Sequence, residues 1–176
     1  MKAWKECFGW FGEPDGEQLQ ILAKDKVCVE VGSYEGRSTV ALLEVAQHVN
    51  AVDYFRSHKN GQCQEDKFTT MDKFKENTEG ADNLTVWIGS SLHACRNFED
   101  DSIDLVFIDA LHTYEAVLCD IVAWYNKLKM GGTFCFHDYM SHPPVKKAVD
   151  TIFPKVDVIS DFAWTTKQFS NIWERK

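Results

Sequence analysis

Short apolar runs of strand length alternate along this chain with segments of helical periodicity, and this alternation constrains the fold more than any other feature. The runs are each bounded by turn or polar residues: 27–31 (VCVEV), 49–53 (VNAVD), 84–88 (LTVWI), 103–108 (IDLVFI) and 133–136 (TFCF). Helical patterns lie between them, at residues 38–47, 65–77, 91–97 and 114–129. Strands connected through helices pair in parallel, so the sequence predicts an α/β fold with a largely parallel sheet.

The last third of the chain adds further elements to this pattern. Residues 127–132 (KLKMGG) combine lysines with two glycines, which predicts a glycine cap at the end of the long helix. Two prolines at 143–144 predict the start of a helix over residues 143–153. Residues 156–160 and 162–168 predict a terminal pair of antiparallel strands.

Length and charge limit the organisation and the partners of the chain. A chain of 176 residues is long enough for one full-sized core and short for two, so we expect a single domain over residues 1–176. Within it, residues 1–24 are expected to form a helical cover segment on a core of residues 25–176. No stretch approaches the roughly 20 apolar residues that span a bilayer, and the first residues lack the apolar run of a secretory signal.

We therefore expect a cytoplasmic protein with no membrane partner. The net charge of -8 offers no electrostatic footprint for a phosphate backbone, so we also expect no nucleic acid partner. The sequence leaves a homo-oligomer open.

Ligands of doubly wound sheets bind outside the carboxyl ends of the strands, so the residues after each apolar run matter most. The first run leads into the series Glu30-x-Gly32-x-x-x-Gly36-x-Ser38-Thr39. Its glycines would let a ligand approach the backbone, although they equally suit a tight strand-to-helix turn. Asp53 ends the second run, where a carboxylate accepts hydrogen bonds from ribose hydroxyls or serves as a turn residue. Together, the two motifs predict a nucleoside site.

The same turn argues against a dinucleotide. The dinucleotide fingerprint has glycine at its first, third and sixth positions, which here hold Gly32, Tyr34 and Arg37. No Gly-Lys-Ser or Gly-Lys-Thr occurs in the chain, so a Walker-type phosphate loop is absent from the sequence. Pyrophosphate binding is therefore disfavoured.

The order of the motifs resembles a known family. After the glycine turn and Asp53, the matching segments are residues 104–109 (DLVFID), 112–115 (HTYE), 129–132 (KMGG) and 137–139 (HDY). This series resembles class I S-adenosylmethionine-dependent methyltransferases, and more narrowly the small-domain enzymes related to macrocin-type sugar O-methyltransferases and cephalosporin-hydroxylase-like proteins. The resemblance covers residues 27–153.

The resemblance implies a fold, a cofactor and a reaction. The implied fold is a Rossmann-like three-layer αβα sandwich whose mostly parallel seven-stranded sheet has the order 3-2-1-4-5-7-6, with the last strand antiparallel. The implied activity is methylation of a small hydroxylated acceptor, such as a sugar, by S-adenosylmethionine. The implied cofactor-binding residues lie near strand ends: Glu30, Gly32, Tyr34, Gly36, Ser38, Asp53, Tyr54, Gly89, Ser90, Ser91 and Asp109. Ala110 and Leu111 depart from the family, in which a glycine and a second acid are frequent there.

Activation of an acceptor hydroxyl requires a base or a metal, and candidates for both follow two strands. Asp109, His137 and Asp138 should lie together at neighbouring strand ends, where an oxygen-rich set suits Mg²⁺ or a similar hard cation. Alternatively, Asp138 caps a turn and His137 forms a local hydrogen bond. Among the proposed catalytic residues Asp109, His112 and His137, His112 is the better placed base, because imidazole titrates near neutral pH. A His112 that only fixes its loop is an equal alternative.

Two other functions use the same fold. A nicotinamide-dependent oxidoreductase shares both the fold and the ribose acid, and a non-catalytic cofactor-binding domain would keep the fold alone. The aromatic residues near the amino terminus could cover a cofactor, form a partner surface or pack in the core: Trp4, Phe8, Trp10 and Phe11.

Overall fold

Seven strands form one sheet in the computed structural model, which describes residues 1–56, 58–59, 62–63, 69–170 and 172. In chain order the strands are β1 Val27–Val31, β2 His48–Asp53, β3 Leu84–Ile88, β4 Ile103–Ile108, β5 Leu128–Phe136, β6 Asp157–Ile159 and β7 Phe162–Thr166. Their order across the sheet is 3-2-1-4-5-7-6, with parallel pairing from β3 to β5. β7 is antiparallel to both β5 and β6, so the predicted sheet is confirmed.

Helices follow most of the strands. They are α1 Glu13–Ala23, α2 Arg37–Leu43, α3 Thr69–Asn77, α4 Ser91–Ala94, α5 Tyr114–Tyr125 and α6 Pro143–Ile152, with 3₁₀ turns at Trp4–Glu6 and Cys95–Asn97. A short separate ribbon pairs His58–Lys59 with Gln62–Cys63. The predicted start of α3 at residue 65 lies outside the described residues. No helix in the described part of the chain has the length and apolar character needed to cross a membrane.

The two faces of the sheet are covered by different helices. Cys28 and Leu105 belong to the apolar cluster of α1 and α2, whereas Val29 and Val106 belong to the cluster of α5 and α6. Successive residues of a strand point to opposite faces, so these neighbours in sequence enter different layers. Because the central strands are buried on both faces, their sequences are continuous apolar runs rather than alternating ones.

The predicted end of the long helix is wrong. α5 ends at Tyr125 rather than at residue 129, and β5 begins already at Leu128. Leu128 is fully buried and pairs with Ile103, so the apolar side chain that continues the helical spacing belongs to the sheet. The glycines interrupt β5 instead of capping α5, since the β4–β5 register shifts here and Gly131 has φ +78°.

The other boundary differences are smaller. α2 ends at Leu43 instead of residue 47, because the following residues turn back and Val45 accepts a hydrogen bond from the Asp25 N–H at the entry to β1. The helix that opens on Pro143 and the terminal antiparallel pair are confirmed.

Candidate active site

The carboxyl ends of the five parallel strands form one continuous row. Backbone hydrogen bonds extend the strand pairing by one residue at each junction: Gly89 to Asp53 (2.9 Å), Gly32 to Val52 (2.9 Å), Asp109 to Val31 (2.8 Å) and His137 to Ile108 (3.2 Å), donor first. Residues that are far apart in the sequence therefore meet along a single edge. This edge contains the positions that the sequence singled out after β1, β2, β3, β4 and β5.

Gly32, in the turn after β1, packs against the backbone at the end of β4. Its φ is +94°, and a Cβ atom built on it would lie 2.0 Å from the carbonyl oxygen of Asp109. Only glycine fits both the dihedral angle and the contact. Gly36, with φ +89°, is also left-handed and directly precedes α2. The backbone of the β1–α2 turn therefore contacts the end of β4 directly, without a side chain between them.

Asp53 fastens this turn from the neighbouring strand. Its Oδ2 accepts hydrogen bonds from the backbone N–H groups of Ser33 (2.8 Å) and Tyr34 (2.7 Å), and its Oδ1 accepts one from Phe55 (2.7 Å). An ionised carboxylate has about four lone-pair sites, so three bonds leave capacity for one more donor. The sequence left Asp53 open between a ribose contact and a turn residue, and these bonds show that it holds the turn.

Three of the implied cofactor residues direct their side chains into the protein. Glu30 is fully buried and accepts hydrogen bonds from the hydroxyls of Ser38 (2.5 Å) and Thr39. Burial raises the pKa of Glu30 to about 7, although these hydroxyls counteract it. The Ser91 hydroxyl accepts a hydrogen bond from the Trp124 indole (2.8 Å). These side chains support the edge of the sheet from beneath.

A cavity of about 310 Å³ opens beside the end of β3. It is lined by Trp87 to Ser90 and by His93 and Asn97, so it includes Gly89 and Ser90, two of the implied cofactor-binding residues. Small-molecule pockets typically measure roughly 300–1,000 Å³. Tyr54, at the end of the neighbouring β2, is about half exposed and available to a ligand.

Carboxylates and imidazoles cluster at the ends of β4 and β5. The Asp138 Oδ2 lies 2.8 Å from His112 Nε2 and 3.4 Å from His137 Nδ1. Asp109 lies 3.6 Å from each of the same two imidazoles. The structure thus brings together the three residues predicted to be catalytic and Asp138.

Mutual contact stabilises the charged form of each group in this cluster. The carboxylates of Asp109 and Asp138 raise the pKa of His112 to about 9, against a smaller effect of burial. Burial opposes the protonation of His137, but the same carboxylates outweigh it and raise the pKa to about 10. Burial likewise opposes ionisation of both carboxyls, yet the imidazoles hold their pKa values below the usual range. At neutral pH the imidazoles therefore carry protons.

Asp109, His137 and Asp138 are close enough to share a cation, since their ligand atoms lie within 4.8 Å of one another. The two carboxylates supply oxygen, which Mg²⁺ prefers, but His137 supplies nitrogen, which it does not. His137 is also buried, with only 6% of the residue exposed to solvent. The donor set does not fit the oxygen-only preference of Mg²⁺.

Residues near the amino terminus border the site; the sequence left them open between a cofactor cover, a partner surface and the core. Phe11 packs edge-on against His137 with ring centroids 5.2 Å apart, and Trp10 contacts Tyr34 at 5.2 Å. Arg37 holds this segment, because its guanidinium donates hydrogen bonds to the carbonyl oxygens of Phe11 (2.8 Å) and Cys7. The segment therefore contacts both the glycine turn and the imidazole cluster.

Two polar residues of the cluster were also missed. The buried Asp15 of α1 lies 3.6 Å from His137 Nε2, but as an acid in the first turn of a helix it has no distinguishing pattern. His142 Nδ1 lies 3.3 Å from Asp138 Oδ1. Its spacing of four residues from Asp138 was a usable signal, because one helical turn or a tight loop brings such positions together.

Comparison with known proteins gives one match to a protein family. A family model described as a methyltransferase domain matches residues 29–139, more than half of the chain. A viral relative, uncharacterized protein R132 of Acanthamoeba polyphaga mimivirus, is 26% identical over 132 residues. That match covers 73% of this chain and 59% of the relative, so the chain spans less than two thirds of its length.

Solved structures share the fold at low sequence identity. Cofactor-bound Rv0187 from MTB has a TM-score of 0.70 and 18% identity, over 93% of this chain and 85% of its own. The O-methyltransferase TomG from Streptomyces achromogenes, solved with SAM, has a TM-score of 0.67 and 12% identity, over 90% and 81% of the two chains.

Proposed function

This chain belongs to the methyltransferase-domain family of class I S-adenosylmethionine-dependent methyltransferases, and from that premise we propose that it methylates a hydroxyl group of a small acceptor. The donor would lie along the edge formed by Gly32, Asp53 and Gly89, and the acceptor beside the cluster of Asp109 and His112. TomG, whose fold is similar, is described as an O-methyltransferase, which supports oxygen as the acceptor atom. A sugar is one such acceptor.

Asp109 is the observation that carries this proposal. Its carbonyl oxygen lies 2.0 Å from the position that a Cβ atom of Gly32 would take, while its carboxylate lies 3.6 Å from the imidazoles of His112 and His137. One residue therefore borders both the donor turn and the polar cluster. A methyl group held above it could face an acceptor oxygen held by the cluster.

The donor half is supported by how the turn is built. Gly32 has no side chain that would cover the backbone, and the Asp53 carboxylate holds the N–H groups of the next two residues in place. One ribose hydroxyl would use the remaining acceptor capacity of Asp53. The cavity beside Gly89 and Ser90 would hold the adenine ring.

The reaction itself needs positioning more than covalent chemistry. The bond between the sulfonium sulfur and the methyl carbon breaks as the bond from the acceptor oxygen to that carbon forms, and the hydroxyl proton leaves to a base. Alignment and exclusion of water supply most of the rate enhancement in such a step. Phe11 contributes to that exclusion by covering one face of His137.

We assign the proton transfer to His112, the more exposed of the two imidazoles. Its side chain is 38% exposed, against 6% for His137, so an acceptor can reach it. The neighbouring carboxylates would stabilise the imidazolium that forms when it takes the proton. Because His112 already holds a proton at neutral pH, it must release that proton before it accepts one from the substrate.

Methyl transfer can be tested directly with the purified protein. It is incubated with S-adenosylmethionine and a panel of small sugars and phenols, with either Mg²⁺ or EDTA, and S-adenosylhomocysteine is measured by mass spectrometry. We expect acceptor-dependent product, with His112→Gln slowed by about 10²–10⁴-fold and His48→Gln, at the opposite end of the sheet, unchanged. Equal rates in wild type and His112→Gln would remove His112 from the mechanism.

Calorimetry separates this function from the nicotinamide alternative. S-adenosylhomocysteine should bind and raise the melting temperature, whereas NAD should do neither. The family match favours methyl transfer over an oxidoreductase. Binding of NAD without binding of S-adenosylhomocysteine would overturn the proposal.

A further inference from the structure

Asp15 is a buried carboxylate that lies outside residues 29–139, the part of the chain that matches the family model. It is the third residue of α1, and only 3% of it is exposed, whereas Glu13 in the same turn is largely exposed. Its Oδ1 has no hydrogen-bond partner among the described residues. Burial of a carboxylate without partners is unfavourable, and an acid that only favoured the start of the helix could stay in solvent, as Glu13 does. The position of Asp15 therefore needs another explanation.

The charged group that Asp15 faces is the imidazole of His137. Asp15 Oδ2 lies 3.6 Å from Nε2 of His137. The other ring nitrogen, Nδ1, lies 3.4 Å from Asp138 and 3.6 Å from Asp109. The ring thus lies between one carboxylate on the α1 side and two carboxylates at the strand ends.

The two carboxylates that face Nδ1 are held in place by their own backbones. The Asp109 N–H donates a hydrogen bond to the last residue of β1 (2.8 Å). The loop that follows Asp138 is held by the Asp161 carboxylate, in the turn between β6 and β7, which accepts hydrogen bonds from the N–H groups of Met140 (2.6 Å) and Ser141 (2.9 Å). These bonds fix both partners of Nδ1 but not the ring itself.

The His137 ring is the part of this arrangement that can turn. Its backbone N–H donates to the end of β4 (3.2 Å), but rotation of a histidine ring about the Cβ–Cγ bond has broad minima. Phe11 packs edge-on against the ring, which limits its tilt without supplying a polar partner. Among the described residues, Asp15 is the charged group at Nε2. The partner of one ring nitrogen determines which way the other nitrogen faces, so Asp15 determines where Nδ1 points.

The start of α1 is itself held on both sides of Asp15. A Cβ atom built on Gly16 would lie 2.4 Å from the Trp4 ring, so the helix packs directly on that buried ring. The Arg37 guanidinium lies over the other part of this contact, 5.3 Å from the Trp4 ring, and donates a hydrogen bond to the Phe11 carbonyl (2.8 Å). The carboxylate of Asp15 is therefore presented to His137 from a fixed backbone.

We propose that Asp15 is a positioning residue for methyl transfer, which holds the His137 ring in place through Nε2. The ring in turn holds the carboxylates of Asp109 and Asp138, and both of these contact His112. The inference rests on the proposed function, because His112 is assigned the proton transfer there. A misplacement of about 1 Å at a reacting group can slow a reaction by about 10²-fold, so a residue that never touches the substrate can control the rate.

Asp15→Asn tests the contact with little change in side-chain volume. Its matched control is Glu13→Gln, which neutralises an exposed acid in the same turn of α1. In NMR spectra recorded at one fixed pH, the ring signals of His137 are assigned by their loss in His137→Gln. We expect these signals to shift in Asp15→Asn and to keep their wild-type positions in Glu13→Gln.

The kinetic test uses the sugar or phenol that gives product in the acceptor panel. We expect kcat to fall by about 10–100-fold in Asp15→Asn, while the KM for S-adenosylmethionine changes by less than about twofold. In a His137→Gln background, Asp15→Asn should lower kcat by less than about twofold further, because a residue that acts through another has no effect once the other is gone. The urea midpoint of Asp15→Asn should equal or exceed that of the wild type, since the variant removes a buried charge.

Four results would overturn the inference and leave methyl transfer in place. They are a wild-type kcat in Asp15→Asn, unchanged ring signals of His137, the same loss of kcat with and without His137, and a urea midpoint that falls together with kcat, which would make Asp15 a structural residue. If no acceptor in the panel gives product, the proposed function fails instead, and the ring signals of His137 alone decide whether Asp15 holds the ring.

Discussion

Asp53 accepts a hydrogen bond from the backbone N–H of Tyr34 over 2.7 Å, so the second strand holds the glycine turn that follows the first. The same Oδ2 binds Ser33 N–H at 2.8 Å. The shape of the donor site thus depends on a side chain from a neighbouring strand as well as on the glycines.

Asp53→Ala should weaken S-adenosylhomocysteine binding by about tenfold or more, because hydrogen bonds to a charged group contribute about 1.5–3 kcal/mol each. Asp53→Asn retains one acceptor oxygen and should have an intermediate effect. Calorimetry measures the affinities, with the exposed Asp157→Ala on β6 as control. If Asp53→Ala lowers the melting temperature but binds the ligand normally, Asp53 has no role in the site.

Gly32→Ala and Gly131→Ala should differ in their effect on the free energy of unfolding. Both glycines have positive φ, +94° and +78°, but only at Gly32 would the new Cβ meet an atom, 2.0 Å away. Gly131→Ala should cost about 1 kcal/mol for the dihedral angle alone, and Gly32→Ala about 2–4 kcal/mol because the contact is added. Urea unfolding measures both, and equal losses would show that the contact relaxes freely.

Stability should depend on pH through Glu30. Its folded-state pKa of about 7 exceeds the ordinary 4.5, so its contribution is fully present below pH 4.5 and is lost as pH rises through 7. The shift corresponds to about 3 kcal/mol. Relative to wild type, Glu30→Gln should therefore gain about that much unfolding free energy between pH 5 and pH 8.

Urea unfolding at a series of pH values tests this, with the exposed Glu79→Gln as the matched variant. Parallel pH curves for wild type and Glu30→Gln would contradict the shift.

Trp10→Ala should change the kinetics of the methyl donor without changing stability. The Trp10 side chain is 76% exposed and contacts Tyr34 on the donor turn, so its removal should shift the free energy of unfolding by less than about 0.5 kcal/mol. Loss of an aromatic contact should raise the KM for S-adenosylmethionine by roughly threefold to tenfold. Ile21→Ala, 71% exposed on α1, is the control, and an unchanged KM would place Trp10 outside the donor site.

Most strands could be predicted because buried parallel strands are continuous apolar runs, whereas the sheet order was implied by the family resemblance. The end of α5 could not, since Leu128 fits the helical spacing and the strand equally well, and only its pairing with Ile103 decides. Asp109, His112, His137 and Asp138 were predicted together because strand topology fixes where strand ends lie. Asp15 and Phe11 were not, because nothing local distinguishes a residue that reaches the site from another layer.

The Asp161 carboxylate accepts hydrogen bonds from the N–H groups of Met140 and Ser141, so the terminal hairpin of β6 and β7 supports the loop that follows β5. The length of the turn between β6 and β7 therefore affects the orientation of the His142 imidazole, which lies just before α6. Lengthening that turn at Ser160 could leave the melting curve intact and still misalign His142, so folding assays alone would overlook the damage.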